Sequence, residues 1–142
     1  MNAASAATAA AVTFVWLGMV LGISFLETPL KFRAPGVTLP VGLGIGRLVF
    51  RALNRVEVVL ALAVIVAVAV GGPPVPVVVL TALAALLLVA QLLVVRPRLT
   101  RRSDQVLAGS STPRSRAHLG YVATESLKVL TLLALGVSAL AA

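Results

Sequence analysis

Cysteine is absent from the chain and histidine occurs once. The first absence excludes a disulfide framework and any thiolate-held metal or cluster. The second excludes a multi-histidine metal site or a bis-histidine haem within one chain. Acidic residues are scarce as well, four against twelve Lys and Arg, for a formal net charge of +8. Charged residues of both signs reach only 11%, where a soluble domain carries about 25%. Their place is taken by Ala, Val and Leu. The chain is 60% hydrophobic with a mean hydropathy of +1.09, which excludes a disordered chain and an ordinary soluble domain.

The apolar residues come in runs, and crossing about 30 Å of hydrocarbon takes about 20 of them. Four segments qualify, at about 8–26, 51–70, 75–95 and 119–140. The second is uneven. Its clean run, Val58 to Val70, is too short to cross, so the span must begin near Arg51 and carry Asn54, Arg55 and Glu57 with it. The first has no basic residue before it and is longer than the apolar core of a signal peptide, so it reads as an anchor that stays. The expected fold is an all-α polytopic membrane protein, a four-transmembrane-helix bundle forming a single domain over 1–142.

Orientation follows from the basic residues. Loop one (about 27–50) carries Lys31, Arg33 and Arg47, with Arg51 and Arg55 just beyond. Loop three (about 96–118) carries Arg96, Arg98, Arg101, Arg102, Arg114 and Arg116. The connection Gly71-Gly72-Pro73-Pro74 carries none, and neither terminus has a basic side chain. The positive-inside rule then puts both basic loops in the cytoplasm and both termini outside, in the plasma (inner) membrane of a bacterium-like cell. The partners expected are the lipid bilayer, anionic headgroups at the basic loops and a second copy of the chain. Nucleic acid is not expected, since no aromatic residues are interleaved with the arginines for base stacking.

The loops offer little chemistry. Gly42, Gly44 and Gly46 resemble a phosphate cradle only in composition, because no strand precedes them and Arg47 stands where a dinucleotide loop needs glycine. They read as a flexible entry to the second helix, on which Arg47, Arg51 and Arg55 share one face. Ser103-Asp104 and Gly109 to Pro113 read as a polar, mobile loop. Gly18 and Gly22 form a small-xxx-small spacing that either the bundle or a homodimer can use. The chain also divides into two hairpins of one plan, with Glu57 and Glu125 at matching places, a hint of a parallel repeat.

Depth arranges the remaining polar residues in one layer. At 1.5 Å per residue, Glu57 and Glu125 lie roughly 9–10 Å inside the cytoplasmic ends of their helices and Gln91 about 6 Å inside. Glu27 closes the first helix on the same side, so each helix delivers one carboxylate or amide. On the fourth helix His118, Tyr121, Glu125, Lys128 and Leu132 form a stripe; on the first, Thr13, Trp16, Val20, Ser24, Glu27 and Lys31 do. Lys128 sits about 14 Å deep, where a charge costs at least about 2.5–3.5 kcal/mol and must face the bundle and pair. Its nearest partner in sequence is Glu125. Asn54 accompanies Glu57, and His118 sits at the interface.

The candidate binding set is therefore Glu27, Asn54, Glu57, Gln91, His118, Tyr121, Glu125 and Lys128. Two readings stay open: interhelical glue, or the lining of a cytoplasm-facing vestibule for a small ion or polar solute. An accessory subunit that docks a partner through its basic loops is the alternative at the level of the whole protein. No Ser/His/Asp, Cys/His or metal-spaced set exists, so no catalytic residue, metal or cofactor is expected.

Three patches resemble a known family: Val15-Trp16-Leu17-Gly18 with Ser24-Phe25-Leu26-Glu27-Thr28-Pro29-Leu30-Lys31-Phe32, then Gly46-Arg47-Leu48-Val49-Phe50, then His118 with Glu125 seven residues on. Together they resemble the four-helix membrane family of unknown function that includes transmembrane protein 205-like proteins. The resemblance implies four spans and membrane residence, and no activity. At position 125 the family more usually has asparagine, so the acid departs from its pattern.

Overall fold

The computed structural model describes residues 1–109 and 116–142, the side chain of residue 117 excepted. Ser110, Ser111, Thr112, Pro113 and Arg114, expected within the third loop, lie outside the described residues. The described residues form four helices: α1 (Ala3–Lys31), α2 (Leu39–Val70), α3 (Val75–Leu107) and α4 (Arg116–Ala141). No strand occurs among the described residues. All four are long and apolar enough to cross a membrane. Much of their surface is large and aliphatic yet uncovered by the chain: Val59, Val66 and Leu86 are 64%, 60% and 66% exposed. A continuous apolar belt of this kind has no place in water and suits lipid.

The helices form a ring in which α1 packs on α2 and α4, α3 packs on α4, and α2 meets α3 more thinly. Asn2 caps α1, accepting from the Ser5 backbone N–H at 2.8 Å, while its own N–H bonds the Gly71 carbonyl at 2.9 Å. The N-terminus is thereby tied to the α2–α3 turn, where Gly72 takes the left-handed φ of +67° that glycine alone adopts freely. A core of Ala9, Trp16, Val20, Val64, Val77, Leu132, Leu135 and Ala139 fills the half of the bundle near this end.

At the basic end the helices run well past the expected spans. The segment Arg96–Leu107 is helical and continues α3, not a mobile loop. Likewise the helix α2 starts at Leu39, well before Arg51, because Thr38 caps it and Pro40 falls in its first turn. The glycines expected to make this entry flexible instead bring it close to α1. A side chain at Gly42 would stand 2.1 Å from the Phe32 ring, and one at Gly46 would stand 3.0 Å from Lys31 Nζ. By contrast, Gly18 and Gly22 have nothing within 4 Å, so no helix of this chain uses their spacing.

Two helices widen into π-turns, α1 over Leu21–Glu27 and α3 over Gln91–Val95. Just after each stands a proline, Pro29 and Pro97. Proline removes one helical N–H and its ring crowds the carbonyl four residues back, here Phe25 and Leu93, both within the widened turns. The extra residue in each turn relieves that crowding. In α1 the Thr28 hydroxyl donates to the Ile23 carbonyl, five residues back, at 2.8 Å.

Candidate functional site

The stripe on α4 faces the bundle, as helical periodicity requires for costly polar groups. Lys128 is fully buried, with Glu125, Glu57 and Gln91 at 1%, 2% and 3% exposure. The Lys128 ammonium lies 2.6 Å from Glu57 Oε1, 2.6 Å from Glu125 Oε1 and 2.7 Å from Gln91 Oε1. Its three protons thus meet three acceptors, one from each of α2, α3 and α4. Around this centre Trp16 Nε1 donates to Glu57 Oε1 at 3.1 Å. Gln91 Nε2 donates to Thr124 Oγ1 at 3.0 Å and Glu125 Oε1 at 3.3 Å. The other Glu125 oxygen accepts from Ser24 Oγ at 2.6 Å and from the Tyr121 hydroxyl.

Formally, one ammonium stands between two carboxylates. Such a cluster carries one unbalanced negative charge in a region where charge is expensive. A proton or a bound cation neutralises it, and partial exposure to water lowers its cost.

Water reaches one side. A cavity of about 630 Å³ opens at the basic end, with walls from all four helices. Of the four groups centred on Lys128, only Glu125 lines it, flanked by its donors Ser24 and Tyr121. Asn54 and His118 also line the cavity, higher up. The wall is largely apolar, with Phe25, Phe32, Phe50 and Leu99, and its cations are Lys31, Arg47, Arg51, Arg96 and Arg102. Phe50 and Tyr121 meet edge to face at 5.7 Å. Arg47 Nη1 pairs with Asp104 Oδ1 at 2.6 Å, tying α2 to the end of α3. Beyond Lys128 the bundle is packed shut by Leu132, Leu135 and Ala139, each at 0% exposure.

The expected layer is thus placed unevenly. Glu57, Gln91, Tyr121, Glu125 and Lys128 come together. Asn54 and His118 stand in the cavity wall, apart from the cluster around Lys128. Glu27 does not join: it lies 3.9 Å from Lys31, and its Oε2 is buried without a hydrogen-bond partner. What α1 supplies instead is Trp16 and Ser24, which helical spacing puts on the right stripe but which the candidate set omits. Thr124 escapes sequence reasoning because it lies one position off the stripe. The indole of Trp16 escapes it because a mid-helix tryptophan reads as packing bulk and not as a donor. Among the described residues no group of three or more His, Asp or Glu stands together as a metal would need.

Compared with known proteins, the chain matches no family model, no curated relative and no solved structure.

Proposed function

We propose that the chain is a four-span protein of the plasma (inner) membrane, both termini outside, that takes a small ion or polar solute from the cytoplasm into the cavity above Glu125. The observation that carries this reading is the double membership of Glu125, which is at once cavity wall and partner of a buried lysine shared by two carboxylates. A proton or cation arriving at Glu125 weakens its hold on Lys128 and leaves the ammonium to Glu57 and Gln91. Occupancy of the cavity is thereby coupled to the contact between α4 and the helices around it. The orientation rests on the basic residues of the two connecting regions, which also draw anionic headgroups by about 1 kcal/mol per residue near the surface. The likeness to transmembrane protein 205-like proteins implies the same four-span plan and adds no activity.

A second reading has an observation of its own: every proton of Lys128 already has an acceptor, and the far half of the bundle is closed. The cluster is then a clamp holding four helices in register, each bond worth about 0.6–2 kcal/mol, in an accessory subunit that docks a partner. Glu125→Gln separates the two. It keeps the shape of the side chain and an acceptor for Ser24 while removing the charge. Under the transport reading it folds in detergent, and liposomes loaded with a pH-sensitive dye lose the proton flux that the unaltered protein confers. If the unaltered protein confers none above empty liposomes, the clamp reading stands and the transport reading falls.

A further inference from the structure

The cavity holds polar groups that the chain itself does not satisfy. Arg96 has its guanidinium stacked 4.0 Å from the Phe50 ring centre and 4.5 Å from that of Tyr121. Its Nε is buried and has no hydrogen-bond partner, and no carboxylate lies within ion-pair reach of it among the described residues. Seven residues on, two turns along the same face of α3, Ser103 is only 6% exposed, lines the cavity, and its Oγ is likewise unpartnered. Buried donors without acceptors are rare and mark a place where water or a bound ligand completes the bonding.

The surroundings define that occupant. Cation–π contacts with both rings hold the guanidinium in the cavity wall, and its terminal Nη donors remain for an in-plane fork. A fork of this shape matches a carboxylate or phosphate through two parallel hydrogen bonds. The rest of the wall between Arg96 and the mouth is aromatic and aliphatic, the composition that encloses an organic body, not a bare ion. The remaining cations, Lys31, Arg47, Arg51 and Arg102, give the cavity an anion-attracting field.

We infer that the cavity is a binding site for an amphipathic anion, its carboxylate or phosphate headgroup on Arg96 and its apolar body against Phe32, Phe50 and Leu99. This rests on the reading of the cavity as a solute vestibule and names the class of solute.

The test is calorimetric titration of the full chain in a neutral maltoside detergent with decanoate, decyl phosphate and decyltrimethylammonium. Decanoate and decyl phosphate are both expected to bind, and the cation not at all. Arg96→Gln lowers decanoate affinity at least about tenfold, the loss of a charged bidentate pair. Arg96→Lys, which keeps the charge but not the fork, recovers only part of it. Leu99→Trp fills the apolar wall while keeping the arginine at 96 and also abolishes binding, so a folding failure of the Arg96 variants does not shelter the inference. Binding of the cation as tight as that of decanoate, or full binding in Leu99→Trp, overturns it. Flux without decanoate binding in the unaltered protein overturns the ligand assignment and leaves the transport reading standing, whereas decanoate binding without flux overturns transport and supports the ligand.

Discussion

A lysine at 0% exposure, held by two carboxylates and an amide, dominates the energetics at the scale of single residues. Removing one partner from a buried charge group leaves the rest uncompensated, and the penalty exceeds the worth of the bonds themselves. Lys128→Met is expected to destabilise the folded protein by about 3–5 kcal/mol, read as a lower midpoint of denaturation in mixed detergent. Adding Glu57→Gln and Glu125→Gln to it removes the stranded charges and restores most of that loss. If the triple variant is no more stable than the single one, the cluster is not an electrostatic unit. Trp16→Phe keeps the aromatic bulk but withdraws a donor from Glu57. Its cost is about 1–3 kcal/mol, followed by circular dichroism on heating because the only tryptophan is gone.

Among the helices, glycines report where backbones approach. A side chain at Gly136 on α4 would stand 2.6 Å from the Phe14 ring of α1. Gly136→Ala therefore forces that ring aside and costs about 1–3 kcal/mol, measured by the same denaturation. Gly18→Ala and Gly22→Ala meet nothing and, by helix propensity, leave stability equal or raised by up to about 1 kcal/mol. Should either lower it comparably to Gly136→Ala, these glycines contact a second copy, and the loss will depend on protein concentration. The π-turns belong to this scale as well. Pro29 and Pro97 are plain in the sequence, yet a uniform period of 3.6 carried through Leu21–Glu27 keeps Glu27 on the stripe of Trp16 and Ser24. The extra residue in the widened turn rotates the later residues around the helix axis. Glu27 accordingly ends beside Lys31 and not beside Glu125.

For the whole molecule, the number of long apolar helices and the burial of Lys128 were legible in sequence, because hydropathy and the cost of a deep charge leave few alternatives. The cavity was not. It depends on α2 and α3 continuing as helices beyond the apolar runs, through Leu39–Arg51 and Arg96–Leu107, where composition signals a loop. It also depends on Arg96 folding back over Phe50 and Tyr121, when its basic charge reads equally well as a topology signal. Under the proposed orientation the cavity opens to the cytoplasm, and reporter fusions at both termini are expected to report the outer face. A cytoplasmic C-terminus would reverse the side from which the solute enters.

Because the chain has no cysteine, single introduced thiols give a reading of the one-sided cavity without background. Val122→Cys lies in the cavity wall, whereas Leu135→Cys lies in the closed half of the bundle. With a charged, membrane-impermeant thiol reagent, Val122→Cys is predicted to label in inside-out vesicles and not in right-side-out ones, and to lose that labelling on adding decanoate. Leu135→Cys should resist labelling from both sides. Labelling of Val122→Cys from the outer face alone, or of Leu135→Cys as readily as Val122→Cys, would contradict the account of a cytoplasmic vestibule that ends at Glu125.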